Sequence, residues 1–449
     1  MKPKCQTPHP SLSLRGEDKG EGAFGIGIWD FKRMRFIADF HIHSKFSRAT
    51  SKDMEVETLA RWAKKKGIAL LGTGDFTHPT YFAELRSKLE PLGNGLFKLK
   101  KGDQDIHYIL TTEVSNIYTQ NARVRRIHTL LFAPSFEVVE AIRSKLGSLG
   151  KLSSDGRPIF SFSAKELAKM ILDISGDCLV IPAHAWTPWF SIFGANSGFD
   201  SIQECFGELS PHIHAIETGL SSDPEMNWRL SALDAITLIS NSDAHSPSRL
   251  GREANAFDCA RDYWEIAETI RTKDRKKLLF TVEFFPEEGK YHYDGHRQCG
   301  VIFSPSQTKA NQYLCPNCHK KLTVGVMHRV EELADRPEGF VPKNAIPSIH
   351  LIPLEEIIAE ALGVRVGTKA VEAEYERLIE RGGSEFRILL DATPDELASF
   401  VPPNILDGIV RVRQGKVSII PGHDGVYGKI DLFPERQAEG ESKEQLKLF

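Results

Sequence analysis

A chain of 449 residues is longer than one hydrophobic core usually serves, so two or three domains are expected. With 41% hydrophobic and 26% charged residues, and no apolar run of the roughly 18–20 residues that a membrane span needs, the composition is globular and no membrane partner is expected. A net charge of −3 is no footprint of bulk nucleic-acid binding, which leaves any DNA contact to a local basic groove.

Residues 1–33 differ from the rest, because Pro3, Pro8, Pro10, Gly16, Gly20, Gly22, Gly25 and Gly27 break any periodicity. The stretch reads as a disordered leader, or as an over-extended start ahead of a natural Met34. From there, short apolar runs alternate with amphipathic ones. Residues 35–41 read as a strand; Val56, Leu59, Ala60 and Ala63 share a helical face that stops at Gly67. Further strands are expected at 68–71, 108–112, 127–133, 178–183, 214–217 and 236–240, with helices between most of them, such as 164–175. This alternation predicts an α/β barrel-like domain over 34–286. A Gly-, His-, Tyr- and Cys-rich module follows at 287–330. The segment 331–434 carries helices near 354–362 and 370–380 and short strands such as 411–420, and 435–449 is a polar tail. Seven scattered cysteines with one tight pair, Cys315 and Cys318, and no recognisable secretory signal point to a reducing, cytoplasmic location.

Asp39, His41 and His43 alternate, and alternate residues of a strand share a face. Two imidazoles with a carboxylate suit Zn²⁺, Mn²⁺ or Fe²⁺; histidines satisfied by hydrogen bonds are the plain alternative. More such residues recur where strands end: Asp75 with His78 nearby, Glu113, His184, and Asp243 with His245. Groups at the carboxyl ends of successive strands are how α/β barrels build active sites. His128 begins its strand, so an antiparallel return after Glu113 is needed to bring it to the same rim.

Asp39-x-His41-x-His43-Ser44, Asp75, Glu113, His128, Pro182-Ala183-His184 and Ser242-Asp243-Ala244-His245 resemble the polymerase-and-histidinol-phosphatase (PHP) superfamily over about residues 35–285. The resemblance implies a distorted (β/α)₇ barrel that hydrolyses phosphoesters with two or three divalent metals (Zn, Mn or Mg). It implies that Glu113 bridges two metals, with His41, His43 and Asp243 on one and His128 and His184 on the other. Asp75 and His245 would serve a third, although Ser47-Arg48-Ala49 offers no imidazole where trinuclear members have one. Asp243, Glu113 and His245 are the catalytic candidates.

His296-Arg-Gln-Cys299 and Cys315-Pro-Asn-Cys318 form two ligand pairs that can close a structural Zn²⁺ knuckle, with His292, His319 and His328 competing for the place of His296. A redox pair or free thiols are the alternative. A small C-terminal α+β domain completes the expected architecture.

Barrel, knuckle and C-terminal segment together resemble the endonuclease Q family of PHP-type DNA-repair nucleases. The resemblance rests on Arg125-Arg126-Ile127-His128, His184-Ala185-Trp186-Thr187-Pro188-Trp189-Phe190, Gly251-Arg252-Glu253-Ala254-Asn255, Cys299-Gly300-Val301 and Gly422-His423-Asp424-Gly425. It implies cutting of DNA on the 5′ side of deaminated bases (uracil, hypoxanthine, xanthine) or abasic sites. Arg123, Arg125 and Arg126, just before His128, and Arg249 and Arg252, just after His245, are candidate phosphate contacts. Trp186, Trp189 and Phe190 are placed either to stack on an extruded base or to pack the core. A histidinol-phosphatase-like small-molecule phosphatase shares the metal ligands and is the competing reading. No repair or replication-clamp partner can be named from the sequence.

Overall fold

The computed structural model of the protein describes residues 35–434; the expected leader over 1–33 and the tail over 435–449 lie outside them. The chain opens with β1 (Phe36–Asp39), α1 (Val56–Lys66), β2 (Ile68–Gly72), α2 (Pro79–Lys88), β3 (Leu89–Pro91) and β4 (Phe97–Leu99). Helix α1 forms because Val56, Leu59, Ala60 and Ala63 bury one stripe, while Glu57 and Lys64–Lys66 sit at the ends that the helix dipole favours. It stops at Gly67, in the left-handed region at φ 89°, where a Cβ would meet Ser384 Oγ at 2.6 Å.

Strands β5 (His107–Gln120) and β6 (Arg123–Ala133) form a long antiparallel hairpin that brings His128 back opposite Ser115. Asn121 and Ala122 turn the chain with φ of 54° and 58°, as a two-residue hairpin requires. Strand β5 runs eight residues beyond the expected 108–112. Its continuation, which includes Glu113, Ser115 and Asn116, is polar yet buried, so no apolar run marks it.

Next come α3 (Phe136–Gly147), β7 (Ile159–Phe160), α4 (Ala164–Ile174), β8 (Leu179–Pro182), α5 (Ile202–Phe206), β9 (Ala215–Glu217), α6 (Pro224–Asn227) and β10 (Thr237–Ile239). They are followed by β11 (Ala254–Phe257), α7 (Tyr263–Thr272) and β12 (Leu278–Glu283). A capping box between Ser163 and Glu166 starts α4, whose Leu167, Ala168 and Ile171 face the core.

The fold is mixed α/β. β1–β2 and β2–β5 pair parallel, whereas β5–β6, β6–β8, β1–β11 and β11–β12 pair antiparallel. β9 and β10 form a separate parallel pair. Side-chain amides tie it to the main sheet: Asn241 Oδ1 accepts Phe40 N at 2.9 Å and Asn255 Nδ2 donates to Ser240 O at 2.6 Å.

The remaining elements are β13 (Asp294–His296), β14 (Val301–Phe303), α8 (Pro305–Ala310), α9 (Val326–Leu333), β15 (Ser348–His350), α10 (Leu354–Leu362) and α11 (Lys369–Gly382). Last are α12 (Pro394–Ala398), α13 (Pro403–Arg413), β16 (Ser418–Ile420) and β17 (Lys429–Asp431). The strand expected over 411–420 is corrected: residues up to Arg413 are helical, because Ile405, Ile409 and Val412 bury a stripe at helical spacing. The buried pair Lys66–Glu385 (2.7 Å) joins α1 to the segment after α11. Among the described residues no helix is long and apolar enough to cross a membrane.

Candidate metal centre

His41 and His43 follow β1, and Ile42 between them bridges to Ala244, so this segment runs beside Asp243 and His245. The carboxylate of Glu113 stands between two groups of ligands. Its Oε2 lies 3.3 Å from His43 Nε2 and 3.7 Å from His41 Nε2; its Oε1 lies 2.6 Å from His128 Nδ1 and 3.1 Å from His184 Nε2. Asp243 Oδ1 completes the first group at 3.2 Å from His43 Nε2 and 3.7 Å from His41 Nε2. His41, His43 and Asp243 form one set spaced for an ion, and Glu113, His128 and His184 the other. Backbone strain concentrates here, with φ of 30° at His184, 47° at Asp243 and 42° at Asp75. Gly219 is required beside them, since a Cβ there would meet His184 Cβ at 2.4 Å.

A second layer aims these ligands. Glu217, fully buried, contacts His41 Nδ1 at 3.0 Å and accepts from His184 N and Asn241 Nδ2, each at 2.8 Å. Asp75 contacts His43 Nδ1 at 3.1 Å and accepts from Ser44 N and Oγ at 2.6 Å and Ser47 Oγ at 2.9 Å. Asp39 accepts from Ser242 N at 3.1 Å and Gly251 N at 3.0 Å, anchoring the Asp243 loop. With both Nδ1 atoms engaged, the Nε2 atoms of His41 and His43 face inward, the arrangement of metal-ligating histidines.

Burial opposes charge on Glu113, yet His128, Arg157 and His41 hold its carboxyl well below the usual range. Burial likewise opposes protonation of His41 and His43, but Glu217 and Glu113 around one, and Asp75 and Asp243 around the other, hold both well above the usual imidazole value. Desolvation wins at His128, which falls to about 4. His41 Nε2, His43 Nε2 and Asp243 Oδ1 are buried without a hydrogen-bond partner and converge on one point. That donor set suits a divalent metal.

Other expected residues lie elsewhere. Asp75 is turned toward His43 and the two serines, so its oxygens are occupied apart from both ligand groups. His245 stacks 4.6 Å from His43, with Nδ1 2.8 Å from Asp243 O, and is about a third exposed. His78 caps α2 and stacks on Phe46. The phosphate reading of Arg125 is corrected: its side chain is buried, donates to Gly198 O and Glu204, and lies 4.0 Å from the Phe199 ring. Arg123 is exposed and Arg126 lies over Phe190, on the face that His128 shares.

Trp186 is corrected to core packing, 1% exposed, with Nε1 donating to Asn227 Oδ1 at 2.8 Å. Trp189 is 43% exposed and meets Tyr291 edge-on; Phe190 packs on His128 at 4.7 Å. Arg249 pairs with Glu356 at 2.6 Å, and Arg252 Nε donates to Ser242 O at 2.8 Å, steadying the Asp243 loop.

Two contributors escaped the sequence reading. Glu217 ends the short apolar strand β9, much as His184 follows β8, and that signal could have found it. Arg157, which donates to Glu113 Oε2 at 2.9 Å, sits in an irregular loop with no pattern to announce it.

In the second cluster, ligand atoms of His296, Cys299, Cys315 and Cys318 lie within 4.8 Å of one another, and His296 Nδ1 is 3.5 Å from Cys318 Sγ. The competing His328 is taken by Asp294 at 2.7 Å.

The MJ0043 C-terminal domain family matches residues 353–416. An uncharacterized Methanocaldococcus jannaschii protein, MJ0043, is 34% identical over 56% of this chain, which spans only 32% of that relative's length. The uncharacterized protein YqxK of Bacillus subtilis is 31% identical over 88% of this chain and 99% of its own. The crystal structure of the lesion-specific endonuclease PfuEndoQ from Pyrococcus furiosus matches with a TM-score of 0.79 and 34% identity, covering 89% of this chain and 95% of that one. An Endonuclease Q complex with a 27-mer duplex substrate carrying an abasic lesion matches with a TM-score of 0.77 and 34% identity, over 90% and 98% of the two chains.

Proposed function

This chain belongs to the endonuclease Q family, and from that premise we propose that it is a metal-dependent DNA-repair endonuclease. It nicks the phosphodiester 5′ to deaminated bases (uracil, hypoxanthine, xanthine) or abasic sites. The observation that carries the reading is the convergence of His41 Nε2, His43 Nε2 and Asp243 Oδ1, buried and unpartnered, beside the carboxylate of Glu113. The relative's complex with an abasic duplex supports the substrate class. In this reading the PHP barrel spans 34–286, the zinc module 287–330 and a DNA-binding segment 331–434.

His41, His43 and Asp243 would hold one divalent cation and His128 and His184 a second, with Glu113 shared between them. When bound, such ions supply Lewis acidity, activating water and neutralising charge on the scissile phosphate. The chain itself supplies orientation. Glu217 and Asp75 fix the ring directions of His41 and His43, and Arg252 and Asp39 hold the loop of Asp243. Arg157 adds a fixed positive charge beside Glu113, where a phosphoryl oxygen can meet it. His245, at the mouth, is the proton-transfer group. Arg123 and Arg126 take backbone phosphates, and Trp189 is the aromatic left for base stacking.

End-labelled duplexes carrying one uracil, hypoxanthine, xanthine, abasic site or normal nucleotide test this directly. A nick 5′ to the lesion is expected, abolished by exhaustive chelation. Asp243→Ala should lower its rate on the order of 10³-fold with an unchanged circular dichroism spectrum, the scale of a lost electrostatic contact in a transition state. Nicking that survives chelation, or fast phosphomonoester hydrolysis without any nicking, would overturn the reading.

A further inference from the structure

Near the histidine cluster, α6, β12 and β15 bring together groups that the proposed reaction does not use. Asp223 caps α6, its Oδ1 accepting from Met226 N at 2.8 Å, while Oδ2 lies 3.2 Å from His350 Nε2. Glu225 Oε1 accepts from Ser348 Oγ at 2.7 Å. One ligand atom from each of Asp223, Glu225 and His350 lies within 4.8 Å of the others. Donors bound to one ion at about 2.0–2.4 Å are held within such a spacing.

Glu283 is the independent observation. It pairs with His350 in the parallel β12–β15 ladder, so the two side chains leave the same face of the sheet. Glu283 is fully buried; Oε2 accepts from Thr218 Oγ1 and Ser240 Oγ, each at 3.1 Å, but Oε1 meets no donor. An orphaned buried carboxylate oxygen is costly unless something positive faces it. Burial pushes this carboxyl up to about 8. His350 is the positive group that Asp223, Glu225 and Glu283 share, and its direct ion pair is with Asp223 alone.

We propose that Asp223, Glu225 and His350, backed by Glu283, form a further divalent-cation site separate from the cluster around Glu113. Two carboxylates with one imidazole favour Mn²⁺ over the softer-ligand metals. Glu225 is exposed and His350 half-buried, so the site opens to solvent. Glu283, the ladder neighbour of His350, accepts from Thr218 and Ser240, the chain neighbours of Glu217 and Asn241, which support His41 and His184. A cation here stiffens that support.

Mn²⁺ titration of the full chain, followed by loss of the free-ion paramagnetic resonance signal, reads the site without DNA or turnover. Wild type should bind one equivalent more than Asp223→Asn or Glu225→Gln, with zinc content unchanged. The difference should persist when Asp243→Ala is added to each, which separates it from the histidine cluster. Asn retains the α6 cap, and circular dichroism checks each fold. If Asp223→Asn unfolds, Glu225→Gln decides alone, since its side chain is exposed. Equal Mn²⁺ binding by wild type and folded Glu225→Gln would overturn the site and leave an Asp223–His350 ion pair.

Discussion

Two ligand clusters in this chain are held in opposite ways. The histidine–carboxylate cluster sits among long strands over an extended core, and Glu217, Asp75, Asp39 and Arg157 brace its ligands or their loops from behind. The cluster of His296, Cys299, Cys315 and Cys318 hangs on the short β13–β14 pair and loops, over a small apolar cluster of buried Val301, Cys315 and Leu322 with Phe303 packed against it. The first can keep its shape without an ion; the second has too little core to do so. In the proposed reading, the first cluster serves reaction and the second folding.

The comparison breaks most readily at the second cluster. Zinc in finger-like peptides contributes about 10–16 kcal/mol, so Cys315→Ser should lose its bound zinc and open residues 291–325 to protease. The melting transition of the rest should stay close to wild type. Wild-type zinc content together with undiminished protease resistance would remove the distinction.

At the first cluster, the braces should tune chemistry without building the fold. Glu217→Gln replaces one of two carboxylate oxygens that serve His41, His184 and Asn241. Metal affinity and nicking rate should each fall about 10–100-fold, the usual effect of removing such a support. Competition titration and nicking assays measure the two, and unchanged values in both would show the brace to be idle.

The smallest effect concerns how the second cluster is tied down. Asp424 accepts from Thr323 Oγ1 at 2.6 Å and from Arg297 N at 2.8 Å, joining the knuckle to the loop between β16 and β17. Asp424→Asn should cost about 1 kcal/mol. Burial pushes the Asp424 carboxyl up, but the Thr323 and Arg297 bonds outweigh it and the pKa is lowered. Stability from a lowered folded-state pKa is complete above the ordinary aspartate value and lost as pH falls through the lowered one. Melting temperatures of mutant and wild type should therefore differ at neutral pH and converge in acid; a pH-independent gap would contradict the tie.

Much of the centre was legible because strand ends announce themselves. His41, His43, His184 and Asp243 follow the ends of short strands, and Glu113 closes the apolar run 108–112 although β5 continues past it and its antiparallel return brings His128 back. Side-chain direction was harder to read. Arg125 and Arg126 are adjacent in sequence just before His128, yet strand alternation turns Arg125 into the packing around Phe199 and leaves Arg126 on the face of His128. Trp186 and Trp189 divide the same way, one buried against Phe193 and one exposed beside Tyr291.

The inventory can be read without a structure: which imidazoles, carboxylates and thiols exist, which strand or spacing carries them, and the family they resemble. Which of them meet is set by the packing of distant segments. It chose His296 over His328 by giving the latter to Asp294, and it turned Asp75 onto His43 Nδ1. It brought Arg157 to Glu113 across 44 residues and His350 to Asp223 across 127. Local periodicity reports only which face of its own element a residue occupies. Contacts between distant segments depend on how those faces pack, and that is where the braces and the second acidic cluster arise.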